Sequence, residues 1–230
     1  MRLKDFNGDG MPDLWFYDGD SIVIYRNATT GLPNFVKHAS LYAHDLLSNN
    51  PTFPNQKVNQ VSGCLPGIED LDNDGDFDIV TNLNSVGSGM ILYLNNTIDS
   101  GKNINDISYE IPDKCYGGID EYQYQMITNA PCYYREAYKK KKHFATKTLL
   151  FFDNDDDGDY DLFYGSSEKL SNPIYFFKNG RKDLGDYYKD TFVAIDTAYF
   201  PQGVESLIPT APAMSLVDID LDGEMDLILS

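Results

Sequence analysis

The residues best placed to do chemistry are acids at alternate positions. In Asp153-Asn154-Asp155-Asp156-Asp157-Gly158-Asp159-Tyr160-Asp161-Leu162, carboxylates occupy relative positions 1, 3, 5 and 9, and a glycine sits at 6. Like charges this dense repel one another, so the arrangement makes sense around a hard cation. Ca²⁺ takes about six to eight oxygens. A tight loop supplies them from alternate side chains, one backbone carbonyl and a closing bidentate carboxylate. Glycine at 6 lets the chain turn sharply around the ion.

The pattern occurs four times. Asp5, Asn7, Asp9, Gly10 and Asp13 form the first copy, and Asp70, Asp72, Asp74, Gly75 and Asp78 the second. Asp153, Asp155, Asp157, Gly158 and Asp161 form the third, and Asp218, Asp220, Asp222, Gly223 and Asp226 the fourth. Position 7, held by Met11, Asp76, Asp159 and Glu224, is expected to offer its carbonyl oxygen. Leu14, Ile79, Leu162 and Leu227 follow the closing acid. About three to four Ca²⁺ ions in a stabilising role are the expected cofactor.

EF-hand loops begin the same way but close with Glu at position 12 and lie between helices. Here Asp closes at 9 and a strand-like run follows. Mg²⁺ fits less well, because it keeps several waters whereas this loop supplies almost a full oxygen shell. Zn²⁺ would want Cys or His, and the loops hold neither.

The elements that must position these loops also repeat. The loops recur at steps of 65, 83 and 65 residues, a repeat with one longer unit. Three are followed by a strand-like run, a turn and a second apolar run ending at an Asn: Ser21–Asn27, Met90–Asn95 and Pro173–Asn179. Apolar runs Leu149–Phe152 and Met214–Val217 precede two loops. Aromatics are plentiful, with 17 Tyr and 13 Phe, and Gly, Pro, Asn and Asp interrupt every candidate helix. An all-β protein is expected. Each unit reads as strand, acidic loop, strand, turn, strand and a return containing a fourth strand. Such units suggest the four-stranded blades of a β-propeller. Their bounds are 5–69, 70–152, 153–217 and an incomplete 218–230. The longer unit is expected to carry its insertion near 109–142, where Tyr116, Tyr122, Tyr124, Tyr133, Tyr134 and Tyr138 gather beside the run Lys139–Lys142. Aromatic-rich loops serve equally as packed flaps and as binding surfaces.

Net charge is −18, and roughly half of the 36 acids lie in the four loops. Nucleic acid is excluded as a partner, since phosphate contacts need clustered Lys and Arg. No apolar run approaches the ~18 residues of a membrane span. Cys115 and Cys132 could close a disulfide, and Cys64, in an apolar stretch, reads as a buried thiol. His38, His44 and His143 are scattered, and the chain carries no G-x-S-x-G, H-E-x-x-H or P-loop. No catalytic residue and no organic cofactor is expected. Glycoside hydrolysis needs only a carboxylate pair, yet most acids here are committed to the loops. The sequons at Asn27 and Asn95 fall at expected strand ends.

The motif D-x-[DN]-x-D-G-x-x-D-[LI], met at Asp5–Leu14, Asp70–Ile79, Asp153–Leu162 and Asp218–Leu227, resembles the FG-GAP and VCBS-type repeats of integrin-alpha-like β-propellers. The likeness covers nearly the whole chain. The stretch 143–230 further resembles secreted Bacteroidetes propeller proteins exported by a type IX system. The resemblance implies a calcium loop between the first and second strands of each blade and an extracellular or cell-surface location. It implies a non-enzymatic module that binds protein or glycan, with a non-catalytic scaffold of a secreted polysaccharide-degrading enzyme as the alternative. The Phe-Gly and Gly-Ala-Pro marks that name the family are not clear here, so the calcium motif carries the match. Such propellers usually close with about seven blades. About three and a half are expected in this chain, the remainder coming from the same longer chain or from a partner.

Overall fold

The structure, a computed structural model, describes residues 1–48, 55–82, 89–103, 105–122, 125–128, 146–167, 173–185, 190–200 and 211–230. Short alternating runs punctuated by Gly, Asn and Asp fold into strands, and no helix occurs among the described residues. β1 (Arg2–Lys4), β2 (Asp13–Tyr17), β3 (Ile22–Asn27) and β4 (Phe35–Ser40) form an antiparallel meander. The second sheet has the order β6-β5-β10-β9-β8-β7, built from β5 (Tyr42–Asp45), β6 (Asn55–Lys57), β7 (Gly67–Glu69), β8 (Asp78–Asn82), β9 (Met90–Asn95) and β10 (Tyr109–Asp113). Within it β7 to β10 repeat the meander, and β5 joins β10 in parallel. β11 (Asp120–Tyr122) and β12 (Gln125–Ile127) make a separate hairpin. β13 (Lys147–Phe152), β14 (Asp161–Ser166), β15 (Ile174–Asn179) and β16 (Phe192–Asp196) form a third meander. β17 (Met214–Val217) and β18 (Asp226–Leu229) pair as a hairpin.

Every acidic loop therefore joins the first two strands of a meander or of the last hairpin. β5 and β6 are not legible as strands in the sequence. They are short and mostly polar, and β6 is exposed throughout. Of the stretch marked for an insertion, 109–113 is the fourth strand of the second sheet, and residues 129–145 lie outside the described residues.

Successive sheets pack face to face through three apolar cores. Trp15, Ile22 and Ile24 of the first sheet meet Ile68, Ile79 and Tyr93 of the second. Val80 and Met90 meet Leu149, Leu162, Tyr164 and Phe177 of the third. Phe163, Ile174 and Phe176 meet Met214, with Leu227 and Leu229 at the margin. β14 is buried on both faces because Leu162 and Tyr164 point into one core and Phe163 into the next, as a covered strand requires. Gly67 is needed where the second and third sheets approach, since a Cβ there would collide with the Phe151 ring.

The first strands of the four sheets converge on one guanidinium. Arg2, in β1, donates to the carbonyls of Pro66 at 3.3 Å, Leu149 at 2.5 Å and Met214 at 2.6 Å. One side chain thus ties β13, β17 and the residue before β7 to β1. No helix among the described residues is long and apolar enough to cross a membrane.

Candidate metal centres

The four loops share one backbone path and one hydrogen-bond scheme. Positions 4 and 6 are left-handed in each: Gly8 and Gly10, Asn73 and Gly75, Asp156 and Gly158, Leu221 and Gly223, with φ from 56° to 98°. The glycine at 6 is the expected signal. The left-handed residue at 4 is not legible, because four different residue types fill it.

The acid at position 1 (Asp5, Asp70, Asp153, Asp218) accepts the backbone N–H groups of positions 5 and 6, one on each oxygen, at 2.7–3.2 Å. Position 5 (Asp9, Asp74, Asp157, Asp222) accepts the N–H of position 7 at 2.8–2.9 Å. The closing acid (Asp13, Asp78, Asp161, Asp226) accepts the N–H of position 2 at 2.9–3.3 Å. In the first three loops its other oxygen accepts the N–H of the Asn ending the third strand, Asn27, Asn95 or Asn179, at 2.7 Å. That Asn donates its amide to the position 8 carbonyl of Pro12, Phe77 or Tyr160 at 3.1–3.4 Å. The closing acid thus fastens the loop to the third strand, which is why the Asn recurs. Both sequon asparagines are committed to this role.

Each carboxylate oxygen has two lone pairs, so a backbone donor leaves one available to a cation. Carboxylate oxygens of Asp70, Asp72 and Asp78 lie within 4.8 Å of one another, as do those of Asp153, Asp155 and Asp157, and of Asp218, Asp220 and Asp226. The first loop forms no triad of acids among the described residues. Asn7 stands at its position 3 and donates to Asp9 Oδ2 at 3.1 Å. A further triad, Asp72, Asp74 and Asp99, includes a residue the motif does not contain. Asp99 lies in the turn after β9, 29 residues in sequence from Asp70, and no spacing rule points to it.

The residues fit a cation. Asp74 Oδ2 and Asp76 Oδ1 are buried without a hydrogen-bond partner, a costly state for a carboxylate that an ion relieves. Loss of water around Asp72 and Asp76, with their acidic neighbours, raises both carboxyls to about 6. Burial raises Asp161 to about 6 also. Position 7 adds a contact beyond its carbonyl in the two inner loops. Asp76 Oδ2 accepts the Ile98 N–H at 3.0 Å, and Asp159 Oδ2 the Lys182 N–H at 2.8 Å.

The loops also touch one another. Arg181, almost fully buried, donates to the carbonyls of Leu71 at 3.1 Å and Gly158 at 3.3 Å, and lies 3.4 Å from Asp190. Lys178 Nζ lies 2.8 Å from Asp155 and 3.2 Å from Asp183.

The remaining sequence candidates lie elsewhere. His38 packs on Phe6 at 4.7 Å and donates to the Asn105 carbonyl at 3.2 Å, and His44 is exposed on β5. Cys64 is a buried thiol outside any disulfide. Cys115 is disulfide-bonded. Cys132, His143, Lys139–Lys142 and Tyr133, Tyr134 and Tyr138 lie outside the described residues. Comparison with protein-family models, curated proteins and solved structures gives no match.

Proposed function

We propose that the chain is a calcium-stabilised, non-enzymatic module of an FG-GAP/VCBS-type β-propeller, working outside the cell or at its surface by binding protein or glycan. The observation that carries this reading is the recurrence of one wired acidic loop at the same strand junction in four successive sheets. The convergence of Arg2 on the first strands of the other three sheets supports a shared axis. Ca²⁺ fits better than smaller or softer ions, because the loops offer oxygens alone and in number. The position 1, 3, 5 and 9 side chains and the position 7 carbonyl would hold it. The bound ion supplies charge neutralisation rather than chemistry. The apolar residues Val217, Ile219 and Ile228, exposed at the fourth sheet, support further blades beyond the hairpin.

Calcium removal tests the reading. At Kd ~0.1 mM and ~1 mM Ca²⁺, mass action adds roughly 1.4 kcal/mol per site. Four sites then amount to a large part of a domain's ~5–15 kcal/mol. EGTA should lower the melting temperature by many degrees, and Ca²⁺ should restore it. An unchanged melting curve rejects the reading. Binding on a glycan array or capture of surface proteins, without turnover, tests the ligand class.

A further inference from the structure

We infer that Arg181 is a positioning residue for two cation sites at once, setting the second and third loops as a pair. The inference rests on the reading that these loops hold divalent cations.

The place of Arg181 in the repeat singles it out. Asn27, Asn95 and Asn179 each accept, through Oδ1, the backbone N–H of the residue two further on, at 3.1–3.2 Å. That residue is Thr29 in the first sheet and Thr97 in the second, but Arg181 in the third. The Thr97 hydroxyl stays within its own turn, donating to Asn95 Oδ1 at 2.6 Å. Arg181 reaches further, and it reaches inward, with a relative exposure of 7 %.

Its guanidinium meets the backbone of both loops. Nη1 donates to the carbonyl of Leu71, position 2 of the second loop, at 3.1 Å, and Nη2 to that of Gly158, position 6 of the third, at 3.3 Å. Both acceptors belong to the frames that aim the acids. The N–H of Leu71 is the one Asp78 accepts, at 2.9 Å. The Gly158 carbonyl shares a rigid peptide plane with the Asp159 N–H, which Asp157 accepts at 2.9 Å. Asn73 Nδ2, at position 4 of the second loop, reaches the same Gly158 carbonyl at 3.4 Å. The two loops therefore meet at one carbonyl, and the guanidinium spans the junction.

A buried anchor holds the guanidinium there. Asp190 Oδ1 lies 3.4 Å from Nη1 and accepts Asn179 Nδ2 at 2.7 Å, and Asp190 Oδ2 accepts the Tyr116 hydroxyl at 2.6 Å. With Asp190 as partner the pair carries no net charge. Arg181 thus acts on the loops through the direction of its hydrogen bonds. Serving two carbonyls and a carboxylate from one rigid plane is work for a guanidinium and not for an ammonium.

Charge and positioning predict opposite signs, which makes the inference testable. Arg181→Thr installs the residue of the first two sheets, removes a positive charge and leaves Asp190 negative. A pure charge effect would tighten Ca²⁺ uptake; lost positioning weakens it. Calorimetric titration of the whole chain with Ca²⁺ should show two equivalents weakened about ten-fold and the others as in wild type. Tyr116→Phe keeps every charge and removes only the hydroxyl that fixes Asp190. It should weaken the same two equivalents roughly two- to ten-fold. Melting curves in EGTA show whether each variant is folded, and if Arg181→Thr is not, Tyr116→Phe decides alone. Unchanged or tightened uptake, weakening of a single equivalent, or equal weakening of all of them overturns the role of Arg181 and leaves the loop reading standing. No uptake by wild type overturns both.

Discussion

Asp78 and Asp161 close their loops with the same hydrogen bonds, but the two loops differ in their neighbours. Each accepts the N–H of position 2 and of the third-strand Asn, and each is buried. Beyond that frame the loops part. In the second, the turn after β9 presents another carboxylate, Asp99. In the third, Lys178 pairs with Asp155, while Arg181 donates to a carbonyl of each loop, Leu71 and Gly158. The frame is thus a property of the motif, and the demand for a cation is a property of what surrounds it. Arg181 serves both loops, so what separates them is Lys178 beside Asp155 on the third and Asp99 beside Asp74 on the second.

The shared half of that comparison predicts the largest effect. Asp78→Ala and Asp161→Ala each leave two backbone N–H groups without an acceptor. At ~1–3 kcal/mol per buried donor, each should lose about 2–6 kcal/mol. Urea unfolding in EGTA measures this apart from cation loss. A small effect in one and a large one in the other would show that the frames are not equivalent.

The pH dependence sharpens the other half. Asp72, Asp76 and Asp161 stand near 6 in the folded chain, against roughly 3.9 unfolded. Between about 4 and 6 the native state then binds more protons than the unfolded state, so stability falls as pH rises through that window. This slope belongs to the cation-free protein. A bound divalent ion holds the carboxylates ionised and reverses it. Melting temperatures from pH 4.5 to 7.5 should decline in EGTA and rise in Ca²⁺. Two of the three groups lie in the second loop, so Asp72→Asn with Asp76→Asn should flatten the EGTA slope more than Asp161→Asn.

Much of this was readable in the chain. Asp and Gly at fixed offsets give the loop, because a tight turn with alternate oxygens has few solutions. The Asn at the end of the third strand marks the frame, though its reason emerges only when Asn95 N–H is seen on Asp78. Asp99 is illegible because its place beside Asp74 depends on how the turn after β9 folds back over the loop. The counter-charge of the third loop is equally hidden, since Lys178 lies on β15 and meets Asp155 only through strand pairing. Arg2 reads as an ordinary charge near the start, yet its three acceptors are spread over some 150 residues of sequence.

Lys178 gives a smaller effect. Its ammonium competes with a cation for Asp155 Oδ2. Lys178→Met should tighten Ca²⁺ uptake at the third loop roughly two- to five-fold, as expected for a solvent-exposed pair. The second loop should not respond. The gain should shrink at high salt, where the pair is already screened. Equal tightening at both loops would mean that the ammonium acts through the general field and not at Asp155.

The smallest effect extends the comparison to the fourth loop, whose position 4 holds Leu221 at φ 63° where the second loop has Asn73 at φ 65°. Left-handed backbone costs an L-residue with an apolar side chain about 1–2 kcal/mol, and Asn less because its short amide bonds locally. Leu221 is 86 % exposed, so packing returns little of that cost. Leu221→Asn should therefore stabilise the chain by roughly 0.5–1 kcal/mol, and Asn73→Leu should destabilise it by a similar amount. Chemical denaturation in EGTA measures both. If the two changes are opposite in sign, position 4 is a purely conformational requirement of the frame. If Leu221→Asn destabilises, the exposed leucine is instead held by a contact across the apolar flank of the fourth sheet, and the loops differ in more than their charges.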